Sequence, residues 1–217
     1  MTNKKNATEL FNYDKAQNKI VIGTDEAGRG PAAGGVFAAA VCFKEYNEQL
    51  IEQLSSLNDS KQLSKNKREN LYDIILENTI NSIVCTEVEE IETINILNAS
   101  LKSMKLACEN VYKQLENKNV IVLVDGNKLV KNLTIPQKFV IKGDATSASI
   151  AAASILAKVT RDKYMEKLSK EFPQYGWERN AGYLTPEHLD AIDKYGLTPY
   201  HRPSFLKKHF EKQLSLF

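Results

Sequence analysis

The sequence predicts an α/β fold, with a mixed central β-sheet of about five strands, helices on both faces and a helical C-terminal segment. Three observations carry that prediction. Two short apolar stretches separated by a glycine-containing turn come first and read as a hairpin. Helical and extended patterns then alternate, which adds strands to the same sheet through helical connections. Finally, Val120-Ile121-Val122-Leu123-Val124 is wholly aliphatic, as a central strand buried on both faces should be.

The elements follow in order. Residues 19–24 read as the first strand and 35–43 as the second, with Val36, Phe37, Val41 and Phe43 among small alanines. Ser64 is an N-cap for a helix over 64–77, whose Leu71, Ile74 and Ile75 share one face. Residues 83–88 form a third strand. A long helix spans 91–115, where Leu97, Leu101, Met104, Cys108, Val111 and Leu115 recur at helical spacing. The aliphatic strand 120–124 comes next, then a short strand over 138–141. An alanine-rich helix over 146–170 has the small residues needed to pack closely on a sheet. Helical stretches over 186–194 and 203–214 complete the chain. With no internal repeat and no Gly/Ser linker, one domain over 19–205 is expected. A polar, flexible extension (1–18) would precede it and a helical tail (206–217) would follow it.

A chain of 217 residues can build one sizeable core, and its 42% hydrophobic and 26% charged residues are ordinary for a globular protein. The net charge of +2 means that any nucleic-acid site must come from the placement of charge. Cys42, Cys85 and Cys108 form no Cys-x-x-Cys pair and read as reduced core thiols. No apolar run could span a bilayer, and the first fifteen residues lack the apolar centre of a signal peptide. A cytoplasmic monomer with no membrane contact is expected.

The chemistry concentrates in Val21 to Pro31. There an apolar strand runs into two carboxylates, Asp25 and Glu26, followed by Gly28-Arg29-Gly30. Acids at the end of a buried strand are costly unless positive charge meets them. Mg²⁺ or Mn²⁺ suits carboxylate oxygens, glycine lets the backbone approach a ligand, and arginine presents a fork of donors to phosphate. A third acid, Asp125, follows the strand 120–124 in the same way, though an Asp-Gly turn after a strand is common. The three histidines make no zinc-binding spacing.

The run Asp25-Glu26-Ala27-Gly28-Arg29-Gly30-Pro31 resembles the signature of the ribonuclease HII family. The resemblance implies a ribonuclease H-like fold and metal-dependent cutting of RNA paired with DNA. It extends over residues 19–205. Val124-Asp125-Gly126 matches the family's third carboxylate. Asp144, which could equally be a helix N-cap, matches the fourth. Asp162, within the family-like helix Ser147 to Asp162, is a further candidate, more simply read as a helix-face acid.

The four acids would repel one another without cations, and two metal ions roughly 3.5–4 Å apart would resolve that. The implied products are a 5′-phosphate and a 3′-hydroxyl. Gly182-Tyr183 matches the family's Gly-Tyr, so Tyr183 would stack near the ribose while the Gly28-Arg29-Gly30 backbone reads its 2′-hydroxyl. A turn tyrosine packed on the core is the plainer alternative. Lys61, in a family-like Asp-Ser-Lys-Gln-Leu-Ser segment, is a candidate phosphate contact or a solvated loop lysine. Arg202, in His201-Arg202-Pro203-Ser204-Phe205, is a candidate contact to the uncut strand or a surface residue.

The chain departs from the family at Gly35, where a proline is usual, and at Gln62, where a lysine is usual. Neither removes a carboxylate.

The resemblance implies cutting of RNA–DNA hybrids, and cutting on the 5′ side of single ribonucleotides in duplex DNA, in support of DNA repair. A non-catalytic binding protein of the same fold would lack some of the acids. A DNA nuclease or recombinase of the fold would need no 2′-hydroxyl reader. The C-terminus, Gln213-Leu214-Ser215-Leu216-Phe217, resembles the peptide by which bacterial repair proteins bind the sliding clamp. In that role Gln213, Leu214, Leu216 and Phe217 would be its anchors. Composition by itself favours a helix end whose leucines and phenylalanine cover the core.

Overall fold

The computed structural model describes residues 6–57, 64–116 and 118–214. Five strands form one sheet: β1 (Ile20–Ala27), β2 (Val36–Phe43), β3 (Thr79–Thr86), β4 (Val120–Asp125) and β5 (Gln137–Val140), in the order β3-β2-β1-β4-β5. The expected hairpin is present, since β1 pairs antiparallel with β2, which pairs antiparallel with β3. β4 joins β1 in parallel, and β5 joins β4 in parallel. The third strand begins earlier than its apolar run suggested. Its first half, Thr79-Ile80-Asn81-Ser82, sits at the sheet edge, where Asn81 and Ser82 stay partly exposed and the buried Thr79 hydroxyl donates to the Ile75 carbonyl.

The strands' period of two sends alternate residues to opposite faces. Ala38, Ala40 and Cys42 of β2 meet one helix, α5 (Ile96–Gln114), through Leu101, Met104, Ala107, Cys108 and Val111. Ala39, Val41 and Phe43 meet another, α6 (Ala148–Glu171), through its run of alanines. Small residues on both sides let α6 lie almost on the sheet. A side-chain carbon at Gly23 would fall 2.2 Å from the Ser149 backbone, so only glycine fits there.

Two expectations are corrected. The helix expected over 91–115 is two helices, α4 (Val88–Ile94) and α5, broken at Asn95. Asn95 takes φ +65°, which asparagine tolerates better than most residues, and its side chain caps α5 through the Asn98 amide. The polar start expected to be flexible contains a helix, α1 (Ala7–Lys15). Asn6 and Glu9 cap it reciprocally, and Leu10 and Phe11 enter the core beneath it. Asp14 of α1 is fully buried and accepts hydrogen bonds from the Ser147 hydroxyl and the Ser149 amide at the start of α6.

Beyond these lie α2 (Glu48–Gln53), which patterning did not reveal, and α3 (Lys65–Asn78), capped by Ser64 as expected. The C-terminal helices α7 (Trp177–Asn180), α8 (Pro186–Tyr195) and α9 (Pro203–Leu214) gather around Trp177, Tyr175, Ile192 and Leu206. This cluster packs on Ala32 and Ala33, just beyond the Gly28-Arg29-Gly30 turn.

Candidate active site

The parallel pairing of β1 and β4 is what assembles the acids. Thr24 lies opposite Val124, and the next residue on each strand is an aspartate, Asp25 and Asp125. The two carboxylates therefore leave adjacent strands at the same level. Neighbouring strands lie about 4.8 Å apart. Glu26 follows at once and faces a cleft of about 420 Å³ whose lining includes Asp25, Glu26, Asp125, Gly28-Arg29-Gly30 and Tyr183.

Asp25 is only 7% exposed. Burial, then the charges of Asp125 and Glu26, raise its carboxyl well above the usual range, while the Glu26 amide and the Ser154 hydroxyl act against that shift. Glu26 is raised by burial too, against the pull of Arg29, whose guanidinium lies 2.9 Å from its carboxylate. Asp125 is raised by burial and by Asp144, although the Gly143 amide donates to it at 2.7 Å. Asp144 sits in a single 3-10 turn (Gly143–Ala145) beside Asp125, and it is Ser147 that caps α6. The capping alternative for Asp144 thus falls away.

Among the described residues, no three His, Cys, Asp or Glu side chains already converge into a metal cage. What the strand ends supply is a cluster of hard oxygen donors whose charges raise one another. A divalent cation of the Mg²⁺ or Mn²⁺ type fits that donor set. Asp162 is not part of the cluster. It pairs with Lys158 and with Arg68, 3.6 Å away, and lines a separate shallow groove with Lys65 and Glu166.

The cleft's other wall is built from backbone. Gly28 has φ +98°, and a side chain there would strike Arg161. Arg161, 2% exposed, donates to the carbonyls of Ala33, Gly35 and Ala181 and so ties the glycine loop to the Gly182-Tyr183 turn. Tyr183 is 52% exposed, with its ring edge 3.3 Å from where a Gly30 side chain would begin.

Arg202 lies elsewhere than expected. It is fully buried and donates to the carbonyls of Pro31 and Gly34, with its ring-facing side over Phe205. A group whose donors are all turned inward holds the loop from beneath and has no reach to a nucleic acid. Lys61, Leu216 and Phe217 lie outside the described residues, as do the side chains of Gln213 and Leu214.

Sequence reasoning missed Arg68, Ser154, Lys158 and Arg161, all of which line the cleft. The last three had a signal. Positions i, i+4 and i+7 of one helix share a face, and that face of α6 looks at the acids.

A mixed sheet with aspartates at two adjacent strand ends and a helix laid across it places this protein among those of the ribonuclease H-like fold, and solved structures agree. The ribonuclease H2 of Pyrococcus horikoshii superposes with a TM-score of 0.68 at 27% identity, over 88% of this chain and 97% of that one. A chain from the PCNA:RNase HII complex of Archaeoglobus fulgidus gives 0.69 at 23% identity, over 84% and 93%. A family model for Ribonuclease HII matches residues 22–213. The Ribonuclease HII of Fusobacterium nucleatum is 48% identical over 205 residues, 94% of this chain and 93% of that protein. The chain belongs to the ribonuclease HII family and is a ribonuclease H hydrolase. Among the described residues no helix is long and apolar enough to cross a membrane.

Proposed function

We propose that this protein is a cytoplasmic, monomeric, metal-dependent endoribonuclease. It cuts the RNA strand of RNA–DNA hybrids and the 5′ side of single ribonucleotides in duplex DNA, and so serves ribonucleotide removal. The observation that carries the reading is the level placement of Asp25 and Asp125 on neighbouring parallel strands, facing a cleft whose far wall is glycine backbone and an exposed tyrosine.

Asp25, Glu26, Asp125 and Asp144 would hold two divalent cations. Mg²⁺ or Mn²⁺ bound there would supply activation of the attacking water and neutralisation of charge on the leaving oxygen. Water forms the new P–O bond and gives up a proton to the solvent, the bond from phosphorus to the 3′ oxygen breaks, and that oxygen takes up a proton from the solvent, leaving a 3′-hydroxyl and a 5′-phosphate. The chain's own contribution is positional. The Gly28-Arg29-Gly30 backbone would read the ribose 2′-hydroxyl, the group that distinguishes RNA from DNA. Tyr183 offers a ring face for the adjoining sugar or base, and Arg29 and Lys61 offer cations to the phosphate backbone.

The test is a DNA duplex holding one ribonucleotide, incubated with Mg²⁺ or Mn²⁺, with the cut mapped at nucleotide resolution. One cut 5′ of the ribose is expected, an all-DNA duplex should survive, and Tyr183→Ala should lose the single-site cut. Equal cutting of all-DNA duplex would overturn the reading.

The C-terminal peptide is proposed to dock on the sliding clamp, on the strength of its motif. A chain ending at Lys212 should lose clamp binding and cut a short junction duplex nearly unchanged. Retained clamp binding, or unfolding, would return Leu216 and Phe217 to the core.

A further inference from the structure

Tyr183 stands at the cleft on a half-exposed turn, yet its backbone is tied to the protein interior. Its carbonyl accepts from the Thr185 amide at 2.8 Å and lies 2.9 Å from Nδ1 of His188. His188 is fully buried, and on its other side Nε2 lies 3.0 Å from the Trp177 indole nitrogen and 3.2 Å from Nε2 of His201. His201 is 1% exposed, and its Nδ1 receives the Thr198 amide at 2.9 Å.

These partners leave one arrangement of protons. An indole N–H and an amide N–H only donate, so Nε2 of His188 and Nδ1 of His201 must both be bare. The single proton of each neutral ring is then on the other nitrogen. His201 donates from Nε2 to His188, and His188 donates from Nδ1 to the Tyr183 carbonyl. A one-way relay thus runs from the turn at Thr198, through two buried imidazoles, to the backbone of the residue that faces the cleft. Its far end also adjoins the glycine loop, because His201 bridges to Ala33 and Arg202 grips Pro31 and Gly34.

We propose that His188 and His201 are positioning residues for the cleavage reaction: their proton-ordered relay fixes the Tyr183 backbone, and with it the ring over Gly30, at the height that recognition of the ribonucleotide requires. This rests on the substrate reading above, and it assigns a purpose to two buried histidines that the acid cluster does not use.

Two substitutions separate positioning from simple core packing. In His188→Asn the amide nitrogen can occupy the Nδ1 place and still donate to Tyr183, while Trp177 and His201 lose their acceptor. In His188→Gln the amide oxygen can take the Nε2 place and still accept from Trp177 and His201, while the donor to Tyr183 is lost. The relay predicts opposite orders. His188→Asn should be the less stable protein and keep KM for the single-ribonucleotide duplex near the wild-type value. His188→Gln should be the more stable and show KM raised by about tenfold, the worth of one hydrogen bond, with Mn²⁺ binding unchanged. A merely structural pair would make activity follow stability, and that result would overturn the proposal.

Ring ¹⁵N shifts of the whole wild-type protein give a readout independent of turnover. His188 should be protonated at Nδ1 and His201 at Nε2, and the reverse tautomers would overturn the relay. If the wild-type protein fails to cut the duplex, the proposed function falls. The relay is then judged on the amide shifts of Tyr183 and Thr185 in His188→Gln, which must move for it to stand.

Discussion

Two clusters of buried charge flank the cleft and have been treated in opposite ways by the fold. On the strand-end side, Asp25, Glu26 and Asp125 are desolvated and set against one another, with a few amides and one arginine to offset them. On the loop side, Arg161 and Arg202 are buried more completely than the acids, but nearly every donor they own meets a backbone carbonyl. Burial lowers both guanidinium groups, Arg202 to about 10, where it is still charged at neutral pH. Paired buried charge holds structure together, whereas buried charge left short of partners awaits a ligand. The arginines shape the cleft, and on the function proposed above the acids would meet the cation that enters it.

The largest test of that contrast is Asp25→Asn or Asp125→Asn. Cleavage in a single-turnover assay should fall on the order of 10³-fold, since the proposed cation would lose a ligand, while hybrid binding persists. Without divalent cations the same variants should melt at a higher temperature than wild type, because repulsion among the acids is relieved. Near wild-type turnover in either variant would remove those acids from the chemistry.

Arg202→Lys should do the reverse. An ammonium cannot reproduce the fork that spans the Pro31 and Gly34 carbonyls, so urea unfolding should show a loss of roughly 3–4 kcal/mol. Because Arg202 is buried, Arg202→Gln, which removes the charge as well as the fork, should leave the salt dependence of hybrid binding unchanged. A shallower slope would mean that Arg202 does reach phosphate.

A smaller effect tests the same logic away from the cleft. Asp14 is raised to about 6 by burial, despite donors from Ser147 and Ser149. A raised acid contributes stability that is fully present below its ordinary value of 3.8 and is lost as pH rises through about 6. Wild type should therefore lose roughly 3 kcal/mol relative to Asp14→Asn between about pH 4 and pH 7. His201 runs the other way. Burial and neighbouring His188 push it down to about 4, so its contribution is present above 6.5 and lost as pH falls through about 4. Denaturation across pH with His201→Gln and Asp14→Asn should resolve the two opposed slopes.

The smallest expected change is Gly28→Ala. Its positive φ and the crowding against Arg161 should cost about 2 kcal/mol, measured by thermal melting. An unchanged melting temperature would show that the loop yields there.

Much of this protein was determined by its sequence. Period and composition marked four of the five strands closely, because a buried strand must be apolar and a turn must be glycine or polar. Asp25, Glu26 and Asp125 were legible for the same reason: an acid ending an apolar strand breaks the pattern that surrounds it. The helix break at Asn95 and the polar edge of β3 were hidden, since each depends on local backbone or on sheet position rather than on hydrophobic period. So was α1, whose few apolar residues count only once a core exists to receive them.

Only the tertiary structure decided which distant residues meet. The parallel register of β1 and β4 puts two aspartates 100 positions apart at one level. Folding turned Arg202 from a candidate nucleic-acid contact into the inner support of the glycine loop. It also joined His188 to His201. Such pairings lie beyond local pattern because they are set by packing between elements. A buried arginine or histidine reads in sequence like an exposed one until its donors are seen to face carbonyls, indole and imidazole instead of water.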